Sequence, residues 1–161
     1  MAGGYPDLEA MLPTRFRDRA PDQVDSGRNC SDAALGSLKR HGVTELRFAG
    51  ATWAIGPHGG VTFALLESPN LDPAWVEEFY KVGAEAGKNV QSVTASATDW
   101  GAGVTGQRID VLNGESYQTI VSWPKGSRVA VVLVASFIRE IQTKAAHDAI
   151  VDEALRTVRP G

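Results

Sequence analysis

Six residues, Gly101-Ala102-Gly103-Val104-Thr105-Gly106, carry the glycine spacing of a dinucleotide-binding turn. In such a turn the glycines let the backbone approach a pyrophosphate held at the N-terminus of the helix that follows. Here residues 107–112 alternate like a strand and run into Asn113-Gly114, a turn signal, so a strand is expected and no cofactor is assigned. Cys30 stands just before Ser31 and Asp32 at an expected helix start, where the helix dipole would favour a thiolate. A nucleophile also needs a base. His41, His58 and His147 fall on a helix end, a turn and a helix, with no spacing that converges on the thiol, so a small buried or half-buried thiol is expected. No two histidines are spaced as an i,i+4 metal pair, and no metal is assigned. The pairs Glu77-Glu78 and Asp152-Glu153 lie on the polar sides of expected helices, which a solvated face explains without acid/base chemistry. Asn29-Cys30-Ser31 matches a glycosylation sequon, relevant only on a eukaryotic secretory route.

Three residues remain as candidate contacts: Trp100, Asp99 and His58. Asp99-Trp100-Gly101 puts a large ring in a glycine-rich stretch, and an exposed loop tryptophan marks contact surfaces. The other reading is a ring folded back over an open sheet edge. On the contact reading, Trp100→Ala leaves folding nearly unchanged. His58 sits in Pro57-His58-Gly59-Gly60, an expected hairpin tip.

The elements that would position these residues are readable from periodicity. Residues 107–112, 117–123 and 129–135 form three strand-like runs separated by Asn113-Gly114 and Pro124-Lys125-Gly126-Ser127, an antiparallel meander. The last run is apolar at both parities, as a strand covered on both faces would be. Residues 45–56 and 61–65 read as a hairpin, with a bulge at Gly50 to reconcile Leu46 and Phe48 with Trp53 and Ile55. Residues 90–97 alternate Ser and Thr with Val and Ala, a strand with one wet face, and residues 99–106 read as a loop.

Helices are expected at residues 7–12, after a Ser31 or Asn29 cap up to Gly42, from an Asp72 cap and Pro73, and over residues 139–158 up to Pro160. Residues 14–27 are polar and broken by Pro21, a loop with one edge strand around Phe16. The expected fold is α+β: a mostly antiparallel sheet of about five to seven strands with two long helices packed on one face, in the order α-α-ββ-α-ββββ-α. Residues 1–6 are expected as a flexible N-terminus or expression remnant, and residues 7–161 as a single domain.

A chain of 161 residues with 43% hydrophobic composition can bury a core without metals or disulfides. The net charge of −3, from 16 basic and 19 acidic residues interspersed, gives no basic stripe for a nucleic acid. The longest apolar run, residues 129–135, is too short for a bilayer, which takes about 20 residues. Met1-Ala2-Gly3-Gly4-Tyr5 lacks the basic and apolar regions of a signal peptide, so either a cytoplasmic protein or a processed exported chain is expected.

The layout from Asp7-Leu8-Glu9-Ala10-Met11-Leu12-Pro13 through the 46–65 hairpin to residues 110–135 resembles the exported domains of uncharacterised bacterial lipoproteins, chiefly actinobacterial ones. Those domains open on a similar Leu-Glu-Ala-Leu-Leu-Pro segment and close with a meander and a long helix. The resemblance implies an extracytoplasmic location, no assigned activity and no site residues. The expected function is a non-catalytic binding or interaction domain for an unknown protein or small apolar ligand. It would use the sheet face or residues 98–106, with a homodimer through an open sheet face as one form of association. The alternative is an enzyme whose site is assembled from sequence-distant residues.

Overall fold

The computed structural model describes residues 1–159. Seven strands, β1 (Gln23–Asn29), β2 (Leu46–Ile55), β3 (Gly59–Glu67), β4 (Val90–Gly101), β5 (Val104–Asn113), β6 (Ser116–Lys125) and β7 (Arg128–Phe137), pair antiparallel in the order β1-β2-β3-β7-β6-β5-β4. The chain is therefore α+β with one open antiparallel sheet, and the meander of β5, β6 and β7 lies within it.

The helices do not share one face, which corrects the expected packing. On one face α5 (Lys144–Val158) and α1 (Pro6–Glu9) bury Leu8, Val151, Ala154 and Leu155 against Phe63, Val121, Trp123 and Val132. On the other, α2 (Asp32–Leu35), a 3₁₀ helix (Gly36–His41) and α3 (Pro73–Glu85) bury Leu35, Leu38 and Val76 against Leu66, Ile109, Ile120 and Val131. β7 is the reason. Its Ala130, Val132 and Val134 enter the first core while Val129 and Val131 enter the second, so a single helical layer would leave one apolar row wet. β2 obeys the same logic, and the expected bulge at Gly50 is absent: its pairing with β1 and β3 is unbroken. Leu46 and Phe48 serve the second core, and Ala49, Ala51 and Trp53 the first.

Three further expectations change. The N-terminal edge strand is β1 and not the Phe16 region, where Phe16 makes an isolated bridge to Arg19. The closing helix is broken: α4 (Ile138–Ile141) ends at Gln142, with φ 66°, and Thr143 caps α5 by accepting from Ala146 N at 3.2 Å. Pro160, its expected stop, lies outside the described residues. Residues 99–106 are not a loop but the end of β4, a tight turn and the start of β5.

That turn has positive φ at both central residues, Ala102 (54°) and Gly103 (75°), the primed geometry suited to a twisted hairpin. Asn113-Gly114 turns differently, with neither residue at positive φ. Asn113 Oδ1 accepts from Glu115 N at 2.9 Å and Ser116 N at 2.8 Å. At the other end of the chain Met1 exchanges backbone hydrogen bonds with Ser26 of β1, and Tyr5 N donates to Ser26 Oγ at 2.7 Å.

Candidate functional site

The α3 side of the sheet holds the site. Asp72 Oδ1 accepts from Ala74 N at 2.9 Å and Pro73 opens the helix, so α3 begins where its cap dictates. Opposite it, Ser31 Oγ accepts from Ala34 N at 3.2 Å to start α2, and Gly36 (φ 52°) redirects the chain into the 3₁₀ helix. Only glycine suits Gly36. Its backbone is in the left-handed half of conformational space, and a Cβ there would meet the Phe79 ring at 3.2 Å.

The two helical segments touch at Gly36 and Phe79, and with β6 and β7 they border a groove of about 500 Å³, floored by Ile120 and Leu133 and walled by Gly36, Phe79, Tyr80 and Val82. No charged side chain lines it. The groove runs out onto a strip of sheet formed by Gly60, Thr62, Leu133 and Ala135, with Gln118, Ile120 and Leu133 common to both. Phe79 and Tyr80 meet edge to face, centroids 5.2 Å apart, which fixes the wall. Val82 is 45% exposed on the rim. Three polar groups punctuate the apolar lining: the Gln118 carboxamide, Ser37 Oγ, buried without a hydrogen-bond partner among the described residues, and the Tyr80 phenol, whose pKa burial pushes up to about 12.

On the opposite face a second cluster centres on His147, which is 1% exposed. Thr119 Oγ1 lies 2.8 Å from both Asp110 Oδ1 and His147 Nε2. A carboxylate can only accept, so the Thr119 hydroxyl donates to Asp110 and accepts from His147 Nε2–H. That leaves Nδ1 to accept from the Ser136 hydroxyl, its other partner. The order Ser136, His147, Thr119, Asp110 resembles a nucleophile-activating relay with a threonine inserted. Ser136 is 2% exposed, however, so no substrate reaches its oxygen. The shallow cavity beside the cluster, about 150 Å³, touches Thr119 and His147 but not Ser136.

Burial holds the His147 ring below its ordinary value despite Asp148 and Asp110 nearby. Burial alone would push Asp110 up, but hydrogen bonds from Arg108 and Thr119 outweigh it and hold its carboxyl below the usual range. Arg108 and Lys144 pair with Asp110 and Asp148 at 2.9–3.1 Å, leaving no unpaired charge for a ligand.

The sequence-derived contact residues are not brought together. Trp100 is 1% exposed, its ring stacked on Trp123 with centroids 4.0 Å apart and the Arg159 guanidinium 4.9 Å from its centroid. The ring folds back over the sheet instead of projecting outward. Asp99 is exposed and spends Oδ1 on Gly101 N at 2.9 Å, shaping the turn. His58 lies at the far end of the sheet, exposed, with Glu140 3.1 Å from Nδ1. Cys30 is exposed and free, and His41 stacks on Trp75 with Glu78 at 2.6 Å from its Nε2. After Gly106 the chain continues as β5, so the helix that a dinucleotide turn requires is replaced by a strand.

Another depression, of about 690 Å³, lies among Glu45, Arg47, Glu67 and Arg128. Those charges already neutralise one another, with Arg128 to Glu67 at 2.7 Å and Arg47 to Glu45 at 3.2 Å. Among the described residues no three His, Cys, Asp or Glu side chains are grouped to hold a metal ion, and no helix is long and apolar enough to cross a membrane. No protein-family model matches the chain, and no curated protein sequence matches it either.

The groove was missed in the sequence because its walls come from segments far apart in the chain, and Gly36, at which the first of them bends, reads there as an ordinary helix position.

Proposed function

We propose that the chain is a non-catalytic binding domain that holds a small, uncharged apolar ligand in the groove between α3, the 3₁₀ helix and the sheet. The observation that carries this reading is an apolar groove of about 500 Å³ with no charged lining residue, a volume in the ordinary range for small-ligand sites. Tyr80 supplies a hydroxyl and Gln118 a carboxamide that fit one polar group on such a ligand, while Ile120, Leu133 and Phe79 supply apolar contact. Location outside the cytoplasm belongs to the same proposal and is supported by the resemblance to exported lipoprotein domains. The rival, an enzyme built on the His147 relay, is disfavoured by the sealing of Ser136.

Titration with the neutral fluorophore N-phenyl-1-naphthylamine, followed by amide chemical shifts, is expected to perturb residues around Gly36, Val82, Ile120 and Leu133. Perturbation confined to the His147 cavity, or no saturable binding, would overturn the proposal.

A further inference from the structure

The two edges of the sheet are treated differently. β1 carries Asp25 and Arg28, and the N-terminal segment covers it by pairing Met1 with Ser26. β4, at the other edge, has β5 as its only strand neighbour among the described residues, and its residues 90–98 contain no charge, proline or glycine. Ser92, Thr94, Ala95, Ser96 and Ala97 are all exposed, while Val90 and Val93 lie half-buried against the α3-side core. Between irregularities near Val90 and Gly101, pairing with β5 is regular from Ser92 to Thr98. A long, flat edge of this kind presents a row of free backbone donors and acceptors, and proteins ordinarily guard such edges with lysine, proline or a bulge.

The residue types of this edge match their own reverse. Set antiparallel about Ala95, Thr94 falls opposite Ser96, Val93 opposite Ala97, Ser92 opposite Thr98, and Gln91 opposite Asp99. Hydroxyls then meet hydroxyls on one face and aliphatic side chains meet on the other, the pairs that stabilise neighbouring strands, and no like charges are opposed. Side chains alternate with period two, so a slip by one residue would mismatch every pair.

We infer that β4 is a self-association edge, at which a second copy of this chain adds its own β4 antiparallel about a two-fold axis through Ala95. The two seven-stranded sheets then form one continuous sheet. This association is independent of the ligand groove. A single-strand seam belongs to the small, weak class of interface, so association is expected at high protein concentration.

The test is sedimentation equilibrium of the full chain up to about 1 mM under reducing conditions, which keep Cys30 from cross-linking. Wild type is compared with Ala95→Lys, Ala95→Glu and an equimolar mixture of the two. Position 95 is exposed, so both variants should fold, as circular dichroism will verify. Each variant alone opposes like charges at the axis and is expected to raise the dimer dissociation constant at least about tenfold. The mixture opposes unlike charges and should restore dimers. A monomeric wild type, a dimer indifferent to both substitutions, or a mixture that stays monomeric would each overturn the inference. A wild type that stays monomeric yet takes up an added extended peptide at β4 would likewise assign the edge to another partner.

Discussion

Trp100 and His147 are both buried to about the same degree but do different work. The Trp100 ring fills space against Trp123 and takes the Arg159 guanidinium over its face, while its Nε1–H is buried without a partner among the described residues, so its value lies in the ring's packing and not in a hydrogen bond. Trp100→Ala is therefore expected to cost about 3–5 kcal/mol in denaturant unfolding, in contrast to the near-neutral outcome a loop tryptophan would give. His147 is satisfied at both ring nitrogens and stays neutral because burial opposes its charge. Above the ordinary histidine value the ring is neutral in folded and unfolded chains alike. Below it the unfolded chain takes up a proton that the folded chain resists, so stability falls with pH from about 6.5 down to the lower folded value. Comparing unfolding at about pH 7.5 and about pH 5.5, wild type should lose stability, and His147→Asn should lose measurably less over the same interval. Asp110, held below its ordinary value, adds its own loss only in stronger acid, as pH falls through its folded value.

At the scale of elements, what was legible in the sequence is what local chemistry dictates. Asp72-Pro73 opens α3, Ser31 caps α2, and the runs before and after Asn113 and Pro124 are strands with the expected faces. β1 escaped because an edge strand needs few apolar residues, and Gln23 to Asn29 offers only Val24. Trp100 was misplaced because glycines on either side of Ala102 read as a loose loop when they form a tight turn, and the strand continues to Gly101. The break at Gln142 has no glycine or proline to announce it. Only Thr143, a capping residue in mid-run, marks it. Within α3, Gly83 lines the groove, and a Cβ there would meet nothing within 4 Å. Gly83→Leu should therefore raise stability by about 0.8–1 kcal/mol through helix propensity, measured by thermal unfolding.

For the whole molecule, the governing fact is a sheet apolar on both faces and covered unequally. α1 and α5 close one face around Trp53, Trp123 and Val151, whereas α3 and the 3₁₀ helix leave a partly covered strip from Leu133 through Ala135 and Thr62 to Gly60. Sequence periodicity could show that both faces were apolar. It could not show where coverage stops, because that depends on the angle at which Gly36 sends the chain across the sheet.

The most direct test is the affinity of N-phenyl-1-naphthylamine for wild type and Gly83→Leu. A leucine that occupies part of the groove, in a chain at least as stable as wild type, should weaken saturable binding at least about tenfold. Unchanged affinity in that folded variant would contradict the account.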